Sequence, residues 1–161
     1  MEIGEVIRKI LPEFTVIGKE GKGLASEGGS WVPTLWELAT EHFEDLAEVA
    51  GDVDIEPVQL WGLMSDEISW LDPWQETGRY LAGMQLPPEV ETPEGWTRWV
   101  IPEMEYLVVK TNEANLETMT QKMFEEILPQ QGVALVAAIQ EHYLPEFTAG
   151  EVELYFPINI L

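Results

Sequence analysis

Apolar positions along the chain switch between a period of two and a period of 3.6, and they do so twice in the same order. "FTVIGKEGKGLA" (14–25) has β-branched residues followed by glycines, and it predicts a strand running into a loop. "SEGGSWVPTLWELATEHFEDLAEVAG" (26–51) then places Leu35, Leu38, Ala39, Phe43, Leu46 and Ala50 at helical spacing, with Gly51 as the stop. Ser30 is the expected N-cap, which puts Pro33 in the first turn; Thr34 with Glu37 also fits a capping box. "VQLWGLM" (58–64) and "RYLAGMQL" (79–86) are the next two strands, joined by an acidic, Trp-bearing loop.

The second half repeats this order. "MEYLVVKT" (104–111) predicts a strand, and "NLETMTQKMFEEIL" (115–128) sets Leu116, Met119, Met123, Phe124 and Ile127 on one helical face that ends at Pro129. "VALVAAIQEHY" (133–143) and "EVELYFPINI" (151–160) are again two strands after a helix. The expected fold is α+β, a duplicated βαββ with repeats at about 5–86 and 104–161. It forms one domain over 1–161: a curved antiparallel sheet with two helices on one face and a ligand cleft on the other. Between the repeats, "LPPEVETPEGWTRWVIPE" (86–103) holds four prolines and predicts a connecting loop. Neither half buries enough surface to fold alone.

"VALVAAIQEHY" ends in an anomaly. By strand parity Val133, Leu135, Ala137 and Ile139 share a face with Glu141 and Tyr143, so a carboxylate points where apolar side chains point. An unpaired buried carboxylate costs several kcal/mol or shifts its pKa upward, which marks Glu141 as a site candidate. Aligning the post-helix strands from their starts puts Trp61, Leu63 and Ser65 opposite Ala137, Ile139 and Glu141, so one half would supply a ring and the other a charge. That pairing suits an aromatic cation. His142, on the other parity, reads as a half-exposed structural residue.

Composition narrows the chemistry. The chain has 161 residues, no cysteine and two histidines, which leaves no disulfide and little for a metal site; no metal or cofactor is expected. Thirty acidic residues against eight Lys and Arg give a net charge of −22, which repels nucleic acid and favours cationic partners. No apolar run is long enough to span a membrane, and the N-terminus lacks a leader pattern, so a cytoplasmic protein is expected. Seven tryptophans are more large rings than so small a core needs, and they suit a pocket. "GKEGKG" (18–23) lacks the context of a phosphate loop and reads as a strand end. Trp70 and Trp74 in "WLDPWQETG" fit either a lid or surface anchors.

In order and spacing, "LPEFTVIGKEGKG", "LWGLMSD", "RYLAGMQLP", "GWTRWVIPEMEYLVVK" and "IQEHYLPEFTAGEVELYFPI" resemble the GyrI-like small-molecule-binding domain, also the effector-binding half of AraC-type and MerR-type transcription regulators. The resemblance spans nearly the whole chain and implies a stand-alone member with a cleft at the pseudo-twofold axis. It implies ligand-binding roles for Glu141, Trp61, Tyr80 and Trp36, with lipophilic, aromatic, cationic ligands, as in a drug sensor or sequestering module. A second implied reading is a hydrolase of strained cyclopropane-containing alkylating compounds, using Glu141 as acid or base and Tyr80 to orient water. A third is an acidic inhibitor of DNA gyrase or another protein partner.

Overall fold

The computed structural model describes residues 2–51 and 57–161. Its strands are β1 (Val6–Leu11), β2 (Phe14–Leu24), β3 (Leu60–Asp66), β4 (Thr77–Leu86), β5 (Thr97–Ile101), β6 (Met104–Asn112), β7 (Gln140–Tyr143) and β8 (Glu151–Ile160). The helices are α1 (Gly28–Ala50) and a second rod in which α2 (Leu116–Lys122) passes through a π-helical turn (Met123–Ile127) into α3 (Leu128–Gln131). All eight strands belong to one antiparallel sheet in the order β1-β6-β8-β7-β3-β4-β2-β5. The halves β2-α1-β3-β4 and β6-α2-β7-β8 thus take mirrored places, and the pseudo-twofold axis passes between β3 and β7.

Two short connections bend this sheet. Only Pro12 and Glu13 separate β1 from β2, and only Pro102 and Glu103 separate β5 from β6. Each pair of linked strands nevertheless sits toward opposite ends of the sheet. Three peptide steps reach about 11 Å at most, so the two ends must curl toward each other. The helix-free face closes around an inner core that includes Phe14, Trp61, Leu63, Leu81, Tyr106 and Tyr155. Each large apolar side chain buried there contributes about 1.5–3 kcal/mol. The convex face carries α1 over Ile17, Tyr80, Ala82 and Met84, and the second rod over Leu107, Val109, Leu154 and Phe156.

Several boundaries differ from the sequence reading, each for a local reason. Residues 133–139 are not strand: the β7 ladder stops at Gln140, paired with Tyr155. Pro157 beyond it has no N–H to give, so Ala138 N bonds Leu71 O and Val136 N bonds Pro157 O instead. The proline-rich connection 86–103 contains β5, whose inward Trp99 and Ile101 pair with Val16 and Phe14. β1 lies along β6 as an edge strand and is largely exposed, so it has no alternation to detect. α1 begins before Ser30, led in by a short 3-10 turn (Ala25–Glu27). Ser30 Oγ donates to Glu27 O at 2.7 Å rather than capping, and Pro33, Thr34 and Glu37 all lie inside the helix. Pro129 does not end the second helix. The π turn before it relaxes the spacing that a proline ring would otherwise clash with, and the rod runs on to Gly132 at φ 68°.

Candidate functional site

Gly62 on β3 pairs directly with Glu141 on β7, so the two strands meeting at the pseudo-twofold axis place a carboxylate of one half against bare backbone of the other. A Cβ at position 62 would stand 2.5 Å from Glu141 Oε1 and overlap the Tyr80 hydroxyl. Glycine is what leaves room for both groups. Tyr80, paired with Met64 in the next ladder, emerges on the same face, and its hydroxyl donates to Glu141 Oε1. Trp36 of α1 donates from Nε1 to that hydroxyl at 2.8 Å. Tyr143, two residues along β7, donates to the same Glu141 oxygen at 3.4 Å, and Trp36 meets its ring edge-on at 5.4 Å.

The electrostatics follow from this enclosure. Burial pushes the Glu141 carboxyl above its ordinary range, while the hydrogen bonds from Tyr80 and Tyr143 pull in the opposite direction. Burial first, and then the Glu141 charge, push the Tyr80 hydroxyl well up, so it remains a proton donor. The cluster therefore holds a carboxyl whose charge is costly and whose only direct partners among the described residues are two phenol hydroxyls.

Open space adjoins the cluster. A cavity of about 270 Å3 runs from Glu141 between Met64, Trp74, Leu116, Phe124 and Ile139. A second hollow, of about 280 Å3, is bordered by Trp36, Leu60 and Tyr143. Trp74 is a fixed wall. It stacks on Trp31 with centroids 5.3 Å apart, donates to Arg79 O at 2.9 Å, and lies where a side chain at Gly78 would stand. Its loop is anchored by Asp66, whose carboxylate accepts N–H bonds from Ile68, Ser69 and Gln75 at 3.0–3.1 Å. Trp70 is half exposed against Trp99, away from the cavity.

Glu141, Tyr80 and Trp36 thus converge, but Trp61 does not join them. It pairs with His142 rather than standing opposite Ala137 as the strand alignment expected, and because His142 is one residue from Glu141, Trp61 points to the other face of the sheet. There it stacks on Phe14 at 4.7 Å and donates to Gln85 Oε1 at 2.8 Å. Ala137 also turns into that inner core, while Ile139 stays on the Glu141 side. The carboxyl faces the groove between α1 and the second helical rod, on the helix-bearing side; the helix-free side is occupied by the inner core. His142 is buried rather than half exposed, with Nδ1 at 2.7 Å from Glu153 Oε1. Sequence reasoning passed over Gly62 as a site residue, although "WG" marks it; it left Trp74 between a lid and a surface anchor, and it missed Leu116 and Phe124 as walls, because their helical positions carry no signal of what they face.

Several solved structures share this fold at low sequence identity. SAV2435 bound to tetraphenylphosphonium superposes with a TM-score of 0.69 at 12% identity, over 96% of this chain and 94% of that one. The EcmrR C-terminal domain gives 0.66 at 13% identity, over 99% and 100%. An integron cassette protein from the mobile metagenome of Vibrio cholerae gives 0.59 at 12% identity, over 97% and 96%. A hydrolase from Listeria innocua gives 0.59 at 12% identity, over 99% and 94%. No curated protein sequence matches the chain. The family model of the integron-associated effector binding proteins, Cass2, matches residues 9–158, and the chain therefore belongs to that family of effector-binding, small-molecule-binding domains.

Proposed function

We propose that the chain binds lipophilic aromatic cations in the groove between its helices, as a sensor or sequestering module, with Glu141 as the counter-charge. The observation that carries this reading is Glu141 itself: a carboxyl raised in pKa, satisfied by Tyr80 and Tyr143, bordered by aromatic rings and by a cavity. A delocalised cation supplies the missing charge without demanding the hydrogen bonds that a primary ammonium would. Rings of Trp36, Tyr143 and Trp74 supply faces for it. The tetraphenylphosphonium held by SAV2435 belongs to this ligand class and is the first probe to use. Tyr143 reaches Glu141 and borders the second hollow, so both hollows adjoin the same carboxyl and its ring partners.

The test is the pH dependence of affinity. A cation prefers the ionised carboxyl, so tetraphenylphosphonium should bind more tightly as pH rises through the elevated pKa of Glu141, and its binding should release a proton. An affinity flat from pH 5 to pH 9 contradicts the reading.

A hydrolase reading shares the same residues. A carboxyl raised by burial, hydrogen-bonded to a phenol held as a donor, is poised for acid or base work, with Tyr80 orienting water. The Listeria innocua relative described as a hydrolase favours it. Incubation with a cyclopropane-bearing alkylating compound, followed by mass analysis, decides it: turnover lost in Glu141→Gln supports it, and none above buffer removes it.

A further inference from the structure

The geometry points to a second ligand site on the opposite side of the sheet, selective for planar aromatic carboxylates. Where the β1–β2 connection crosses the closed end of the inner core, a cavity of about 270 Å3 opens beside Trp61, Phe14 and Tyr155. Its polar lining is Lys9, Glu13, Gln59 and Gln85, of which Lys9 and Glu13 are exposed.

The donor pattern sets the ligand's chemistry. Gln85 Oε1 accepts from Trp61 Nε1 at 2.8 Å, and Gln59 Oε1 lies 2.9 Å from His142 Nε2. The His142 ring is fixed in turn by Glu153. Gln85 is gripped by its oxygen, so it offers the cavity its NH2 group, while the Gln59 carboxamide is held against the His142 ring and borders the same space. Lys9 adds an ammonium that forms no salt bridge among the described residues, although the chain has 30 acidic side chains to pair with only eight Lys and Arg. Two donors, the Lys9 ammonium and the Gln85 NH2, over an aromatic wall call for an acceptor on a flat ring: a carboxylate for the donors and an arene for Trp61 and Phe14. This ligand is opposite in charge to the one proposed for the Glu141 groove, and the site stands on different residues.

Titration with 1-naphthoate, followed by tryptophan fluorescence and by calorimetry, tests this. Saturable binding is expected, with the same affinity in wild type and Glu141→Gln and with or without tetraphenylphosphonium. Lys9→Met, which leaves the core untouched, should weaken it about tenfold, whereas Lys122→Met, which removes an equal charge from the exposed side of α2, should leave it unchanged. Absence of saturable binding, displacement by tetraphenylphosphonium, or equal losses in Lys9→Met and Lys122→Met would overturn the site. Because the titration is also run without a cation, failure of the Glu141 reading leaves its outcome intact.

Discussion

Glu141 makes the protein's stability and its binding respond to pH in opposite directions. Its folded pKa is raised, so its contribution to stability is fully present below the unfolded value near 4.5 and is lost as pH rises through the folded value. Glu141→Gln should therefore flatten the decline of stability that begins above pH about 4.5, read as melting temperature against pH, while removing the pH dependence of cation affinity. A steeper profile in the variant would mean that the charge is stabilising. Gly62→Ala tests the same cluster sterically. The added methyl must displace either the Tyr80 hydroxyl or the Glu141 carboxyl, with an expected loss of about 1–3 kcal/mol in stability. Tetraphenylphosphonium binding should fall with it. Unchanged melting would show that the cluster is looser than its geometry implies.

At the scale of elements, the loop between β3 and β4 is the groove's rigid wall because Asp66 organises it. Those backbone N–H bonds, from Ser69 and Gln75 foremost, hold its carboxyl below the usual range. Its contribution is thus present above the unfolded value near 3.8 and disappears as pH falls through the folded one. Asp66→Ala should speed hydrogen exchange at Ile68, Ser69 and Gln75 without unfolding the sheet; protection retained at these amides would assign the order to Trp74 packing instead. Which elements were legible in the sequence follows the same physics. The helices announce themselves by a periodic apolar face, and the strands at 58–64, 79–86, 104–111 and 151–160 by short apolar runs that are buried on both faces. β1 buries too little to show a period, and β5 hides among prolines that confine it to an edge. The inward parity of Glu141 could be read because Ile139 and Tyr143 flank it on the same face. The partner across the axis could not, since it depends on a register fixed by tertiary pairing: Trp61 and Gly62 differ by one step, and only the ladder decides which of them meets Glu141.

The whole molecule adds a long-range field to these local sites. A net charge of −22 concentrates cations near the surface and repels anions. Added salt screens both effects, so tetraphenylphosphonium affinity should fall a few-fold from low to physiological ionic strength while 1-naphthoate affinity rises. Parallel changes would mean that both probes occupy one site. The curved sheet keeps the two sites apart, with the Glu141 groove on its helix-bearing side and the Trp61 cavity at the end of its inner core. The most direct test of the central claim is calorimetric titration of wild type and Glu141→Gln with tetraphenylphosphonium and with neutral triphenylphosphine oxide. Replacing the carboxylate should cost the cation about 2 kcal/mol, on the order of 30-fold in affinity, and the neutral compound almost nothing. Equal losses for both compounds would contradict the assignment of Glu141 as the counter-charge.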